Sequence, residues 1–188
     1  MKNKYKNPIA KDLGDLESFL QLIADLDEEI ELFAIGGTAM VLKKIKESTK
    51  DIDFLVTTDH NKIKRLFNLA GLKEEESSQA CNIWRMNNIR IDIFYVQSIM
   101  GITLPDDWKS LSEQVRDIGK VRLFILNWYD IIITKIARSE PRDVDDIKAI
   151  IAKQDIDIKK LKERYYSIAE TAIIADYDYK FRHMEKNL

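Results

Sequence analysis

Three aspartates, two adjacent glycines and a lysine–arginine pair carry the chemistry that the sequence suggests. Asp51 and Asp53 stand in the apolar run Asp51-Ile52-Asp53-Phe54-Leu55-Val56. Alternation along a strand puts both carboxylates on one face, with Cα atoms roughly 6.5 Å apart, while Ile52 and Phe54 point the other way. Two such groups repel and resist desolvation unless a positive charge lies between them, and a hard divalent cation such as Mg²⁺ suits an all-oxygen donor set. Upstream, Leu32-Phe33-Ala34-Ile35 runs into Gly36-Gly37, and a helix is expected from about Thr38. Glycines let the backbone turn sharply and come close to a ligand, and a helix start offers unpaired N–H groups to an anion. Strand, Gly-Gly, helix and Asp-x-Asp together describe a phosphate cradle beside a metal site. A tight turn followed by two surface carboxylates is the competing explanation.

The order and spacing of these features, with Asp51 fourteen positions after Gly37, resemble the signature of the DNA polymerase β-like nucleotidyltransferase superfamily. That resemblance implies a nucleotidyltransferase fold and transfer of a nucleoside monophosphate from an NTP, ATP among the candidates, to an acceptor hydroxyl. It implies two Mg²⁺ ions held by Asp51, Asp53 and a third carboxylate. Asp92, in the strand-like Arg90-Ile91-Asp92-Ile93-Phe94, matches that third position. The backbone at Gly36, Gly37 and Thr38 would cradle the outer phosphates. A second stretch, Asn127–Ile151, contains Lys135, Arg138 and the run Arg142-Asp143-Val144-Asp145-Asp146. It looks like the C-terminal motif of abortive-infection (AbiEii-like) nucleotidyltransferases of bacteria and archaea, in which the lysine reaches the nucleotide. Lys135 and Arg138 are therefore expected at the nucleotide. Read from the residues alone, Lys135 and Arg138 on one helix and Asp143 and Asp146 on the next are equally ion pairs holding a helical corner. The acceptor is left open between tRNA, as for a toxin with an antitoxin partner, and a small molecule. A non-catalytic nucleotide-binding module of the same fold is a further alternative.

The elements that position these residues follow from periodicity. Asp12–Glu29 carries Leu13, Leu16, Phe19, Leu20, Ile23 and Leu26 near helical spacing and reads as an amphipathic helix. Strand 31–35, the Gly-Gly turn and a helix over 38–46 come next, with Lys43, Lys44 and Lys46 facing outward. Ser48-Thr49-Lys50 closes the loop before Asp51, with Lys50 a candidate phosphate contact. Thr57-Thr58-Asp59 supplies N-cap chemistry for a helix to about Ala70, and Gly71 ends it. Residues 73–79 read as an exposed edge or loop. Segments 82–86 and 89–96 form a hairpin around Asn87-Asn88, in which Ile89, Ile91 and Ile93 share a face opposite Asp92. Residues 99–104 suggest a short strand, Pro105-Asp106-Asp107 a turn into a helix through Arg116, and 120–125 an edge strand. Helices are expected over Trp128–Arg138, from Pro141, and over Ile158–Ala175, the last with Leu161, Tyr165, Ile168, Ala172 and Ile173 as its buried stripe. Its basic start, Lys159, Lys160, Lys162 and Arg164, beside Tyr165-Tyr166, is either a wet face or a grip for RNA. The tail 177–188 receives no role.

The expected architecture is α/β (α+β): a small mixed, twisted sheet flanked by helices. Residues 1–125 would form the catalytic core, and 126–188 a helical part closing the cleft. At 188 residues, 45% hydrophobic and 33% charged, the chain suits one domain with a sizeable core. A net charge of −2 argues against a general nucleic-acid coat protein but allows a local basic groove. The single cysteine, Cys81, makes no intrachain disulfide, and two distant histidines make no zinc site. The basic, polar segment 1–11 reads as a loose arm rather than a signal peptide. No apolar run reaches the ~20 residues that cross a bilayer. No membrane partner and a cytoplasmic location are therefore expected.

Overall fold

The computed structural model describes residues 11–172 and 174–188. The expected arm over residues 1–10, and Ile173 of the expected buried stripe, lie outside them. Helix α1 (Leu13–Ala24) opens with Asp12 as N-cap, whose carboxylate accepts from the N–H groups of Gly14 and Asp15. This neutralises donors that a helix start leaves unpaired. Its buried residues Leu16, Phe19, Leu20 and Ile23 hold helical spacing, and the helix stops well short of Glu29.

Strand β1 (Ile30–Ala34) leads through Ile35 into α2 (Gly36–Leu42). That helix starts at Gly36 rather than Thr38 and ends at Leu42 rather than Lys46. Lys44 then turns left-handed, and the chain runs back to β2 (Ile52–Val56). Helix α3 (His60–Leu69) is capped by Asp59, and Gly71 follows it with φ +80°, as the sequence leads one to expect. The exposed segment 73–79 contributes edge strand β3 (Lys73–Ser77). β4 (Cys81–Met86) and β5 (Ile89–Phe94) form the expected hairpin, with Asn87 in the positive-φ conformation that Asn tolerates.

The next stretch departs from expectation. Residues 99–104 are not one strand but a small hairpin, β6 (Ser98–Ile99) and β7 (Ile102–Thr103). The expected helix through Arg116 is instead a run of turns followed by strand β8 (Glu113–Ile118). β8 is exposed almost throughout, so no apolar alternation marked it. Strand β9 (Val121–Ile125), expected at an edge, lies inside the sheet between β1 and β8. Its alternating burial and its pairing on both sides put β8 at the edge instead.

The seven-stranded sheet has the order β3-β4-β5-β2-β1-β9-β8. β2 runs parallel to β5 and β1 parallel to β9, while the remaining pairs are antiparallel, so the sheet is mixed. Parallel pairing of β2 with β5 requires the crossover that α3, β3 and β4 supply.

Helix α4 (Trp128–Arg138) buries Ile131, Ile132, Ile133 and Ile136. Ser139 in the left-handed conformation, Glu140 as N-cap and Pro141 at the first position turn the chain sharply into α5 (Pro141–Lys153). α6 (Ile158–Thr171) buries Leu161, Tyr165, Ile168 and Ala169, and stops at Ala172 rather than running through Ala175. The tail, assigned no role from sequence, forms α7 (Tyr177–Asn187), which buries Phe181 and Met184. Lys180 of α7 donates to the Ala137 carbonyl at 2.6 Å, and Tyr165 donates to the Tyr177 carbonyl at 2.8 Å. α7 thus buttresses α4. The RNA-grip reading of α6 loses its central residues: Arg164 forks onto Asp107 and the buried Asp130, and Tyr165 is fully enclosed.

Candidate active site

β2 and β5 bring two of the aspartates side by side. Their parallel register pairs Asp53 with Asp92, and both face one cleft of about 590 Å³. Asp51, on the bend just before β2, lines the same cleft. The opposite wall comes from α4 and α5 through Lys135, Arg138, Arg142 and Asp146, and the floor from Gly36 and Gly37. Residues some hundred positions apart are thereby gathered: of those expected from sequence, only Thr38 does not line the cleft. Thr38 is buried, and its hydroxyl accepts the Asp53 N–H at 2.8 Å. It fixes the backbone of the aspartate from behind.

The two glycines serve different needs. Gly36 has φ +52°, a left-handed backbone that side chains disfavour. Gly37 is packed against Thr49: a Cβ at Gly37 would lie 2.2 Å from Thr49 Oγ1 and 2.9 Å from Thr49 Cβ. Thr49 is itself pinned by an antiparallel bridge to Lys11, with hydrogen bonds of 2.6 and 2.7 Å. The close approach thus draws the Ser48-Thr49-Lys50 loop onto the cleft, where all three residues line the rim.

The acidic wall is short of positive charge. Burial, with the charges of Asp92 and Asp51 added, pushes the Asp53 carboxyl from its ordinary 3.8 up to about 7. Burial also raises Asp51, against the pull of Arg90. Among the described residues, the guanidinium that meets this wall is that of Arg90, beside the lining residues rather than one of them; its Nε and Nη2 donate to Asp92 Oδ1 and Oδ2 at 2.8 and 2.9 Å. Arg90 was not singled out from sequence, yet the alternation that separates Ile89, Ile91 and Ile93 from Asp92 places Arg90 with Asp92. Arg142, inside the acidic run 142–146, is a further cation of the site, exposed on the cleft rim.

The basic wall is largely spent on ion pairs. Lys135, 3% exposed, donates to Asp146 Oδ2 at 2.6 Å, and Lys46 reaches the other oxygen at 2.8 Å. Arg138 forks onto Asp143 at 3.0 and 2.5 Å, which buries Asp143 beneath the α4–α5 corner. Burial acts to raise the Asp146 carboxyl, but hydrogen bonds from Lys135 and Lys46 outweigh it and hold the group below the usual range. The corner is an ionic latch, and through Lys46 it ties α5 to the loop after α2.

A donor set of carboxylates, one of them pushed up to about 7 by burial and by its acidic neighbours, suits a hard divalent cation. Asp51, Asp53 and Asp92 are the residues that would hold it. As they stand, no three His, Cys, Asp or Glu side chains among the described residues converge as metal ligands do, and both Asp92 oxygens are engaged by Arg90. Among the described residues no helix is long and apolar enough to cross a membrane.

Comparison with known proteins bears on the fold and the family. The structure of an antigenic nucleotidyltransferase-like protein from Paracoccidioides brasiliensis is 15% identical with a TM-score of 0.51, over 93% of this chain and 95% of that one. ANT(2″)-Ia, solved in complex with adenylyl-2″-tobramycin, is 15% identical with a TM-score of 0.57, over 83% and 96%. A nucleotidyltransferase-fold protein from Thermotoga maritima is 11% identical with a TM-score of 0.50, over 79% and 100%. At such identities the likeness establishes the fold, and no curated protein matches the chain. The model of one family, described as nucleotidyltransferase of unknown function (DUF6036), matches residues 11–188. With that match across nearly all of its length, the chain belongs to the DUF6036 family of nucleotidyltransferases.

Proposed function

We propose that this protein transfers a nucleoside monophosphate from an NTP to a hydroxyl of an acceptor, with two Mg²⁺ ions held by Asp51, Asp53 and Asp92. The observation that carries the reading is the parallel β2–β5 pair, which sets Asp53 beside Asp92 in a cleft whose far wall is cationic. Bound Mg²⁺ would neutralise the triphosphate and the departing pyrophosphate, the largest demand of this reaction.

The chain's own residues do the rest. Gly36 and Gly37 offer first-turn N–H groups to the outer phosphates, and Lys50 and Arg142, both exposed at the rim, supply positive charge, Arg142 on leaving its surface partner Glu140. Arg138 faces the cleft while paired to Asp143, and Lys135 stays on Asp146, so these two shape the wall more than they grip the nucleotide. Asp92 orients the acceptor hydroxyl and accepts its proton. The hydroxyl oxygen bonds to the α-phosphorus, the bond from that phosphorus to the bridging oxygen breaks, and pyrophosphate leaves.

Two acceptor classes are in view. The AbiEii-like resemblance points to tRNA, with an antitoxin as partner, and the fold shared with ANT(2″)-Ia to an aminoglycoside-like small molecule. Incubation with each α-labelled NTP, Mg²⁺ and either total tRNA or an aminoglycoside panel separates them. Label appearing in one class, and lost with Asp53→Asn, is the expected result. Transfer unaffected by Asp53→Asn would overturn the site assignment.

A further inference from the structure

Arg90 abuts the acidic wall in a way that bears on how a cation enters it. Its guanidinium takes both oxygens of Asp92, and its Nε lies 3.9 Å from Asp51 Oδ1 as well. One monocation thus serves two of the three carboxylates, while Asp53 makes no ion pair among the described residues. The partners differ in mobility. The Asp92 side chain is 11% exposed and fixed in the middle of β5, whereas the Arg90 side chain is 40% exposed and lies toward solvent. The aspartate is anchored, and the guanidinium is the part free to leave.

We propose that Arg90 is an internal countercharge: it withholds Asp92 from free divalent cations and releases it only when the cation arrives with a nucleotide, whose phosphates then take the guanidinium. A planar fork suits phosphate as well as carboxylate, so the exchange trades one bidentate partner for another. A free cation offers Arg90 nothing in return and must compete with it. Cation and nucleotide therefore bind as a unit, and each raises the affinity of the other. The inference rests on the metal-site reading of Asp51, Asp53 and Asp92.

The test is a Mn²⁺ titration of the whole chain followed by electron paramagnetic resonance. It is run with and without the α,β-methylene analogues of the four nucleoside triphosphates, for wild type, Arg90→Met and Arg90→Lys. Methionine keeps the apolar stem and removes the charge; lysine keeps the charge and removes the fork. Even with water-like screening, a unit charge about 4 Å from a divalent ion is worth roughly tenfold or more in affinity. Without nucleotide, Arg90→Met should bind Mn²⁺ about tenfold tighter than wild type, with Arg90→Lys in between, and added analogue should narrow the gap. Should the methionine variant not fold, the lysine variant alone decides, by binding free Mn²⁺ severalfold tighter than wild type. Unchanged or weaker nucleotide-free affinity in the folded variants overturns the proposal while wild type still binds Mn²⁺ with an analogue. Failure of every protein to bind Mn²⁺, analogue present or not, overturns the metal-site reading with it.

Discussion

Gly37→Ala tests how the cleft is assembled, because two opposing effects can be sized. In the first turn of α2, alanine should by propensity alone gain up to about 1 kcal/mol over glycine. Against this, the new Cβ would sit 2.2 Å from Thr49 Oγ1 and 2.9 Å from Thr49 Cβ. Rotating the hydroxyl away relieves the first contact and leaves the second, and Thr49 cannot retreat without breaking its two backbone hydrogen bonds to Lys11. Overpacking costs about 1–3 kcal/mol, and contacts this short with a backbone that is pinned belong to the upper part of that range, so the net change is destabilising, by roughly 1–2 kcal/mol. For a chain of this size that corresponds to a fall in Tm of roughly 2–8 °C. Thr49→Gly removes both offending atoms, and the next atom, Thr49 Cα, stands at 3.9 Å. In a double-mutant cycle by thermal denaturation, Gly37→Ala should therefore cost far less on the Thr49→Gly background than on wild type. A neutral or stabilising Gly37→Ala, or additivity of the two substitutions, would refute the packing argument and return Gly37 to a purely ligand-facing role.

Cation affinity should depend on pH through Asp53. Its carboxyl, raised to about 7 in the metal-free protein, must lose a proton before it can bind a cation, so Mn²⁺ affinity rises with pH and levels off above about 7. The same raised value favours the metal-free fold at low pH, an advantage complete below the ordinary 3.8 and lost as pH rises through about 7. Calorimetric titrations at pH 5.5–8.5 should show the slope in wild type and lose it in Asp53→Asn; a flat wild-type profile would contradict the account. Lys135→Met should behave as a packing lesion. Asp146 keeps Lys46 but loses its buried partner, and removing one member of a buried pair costs up to about 3–5 kcal/mol, less where a second cation remains. A clear drop in Tm with NTP affinity little changed in the folded fraction is expected; unchanged Tm with lost NTP binding would make Lys135 a phosphate ligand after all.

Where side chains had to alternate or cap, the sequence was readable. Asn87-Asn88, Asp59, Pro141 and the isoleucines of β5 each mark their element by local chemistry, and α4 takes its expected span. The failures lie where tertiary pairing overrides local pattern. β8 is exposed almost throughout and pairs only with β9 in the sheet, with Arg116 and Glu113 tied to Glu17 and Lys43, so no periodicity announces it. The tail owes its helix to Phe181 and Met184 packing beneath α4 and α6, contacts that no window of the tail reveals. That Asp51, Asp53 and the glycines would share one cleft was legible because spacing constrains them. The state of Lys135 was not, since a buried ion pair with Asp146 and a phosphate contact use the same residue types. Arg90 was visible in the alternation of β5 but went unread, because an arginine between isoleucines looks like an ordinary wet position.

If the three aspartates form a cation-dependent NTP site, calorimetry detects it without knowledge of the acceptor. Each of the four NTPs would be titrated into wild type and Asp53→Asn, with and without Mg²⁺. Mg²⁺-dependent binding of at least one NTP to wild type, lost or much weakened in the variant, is the expected result. Equal binding by both proteins, or none under any condition, would contradict it.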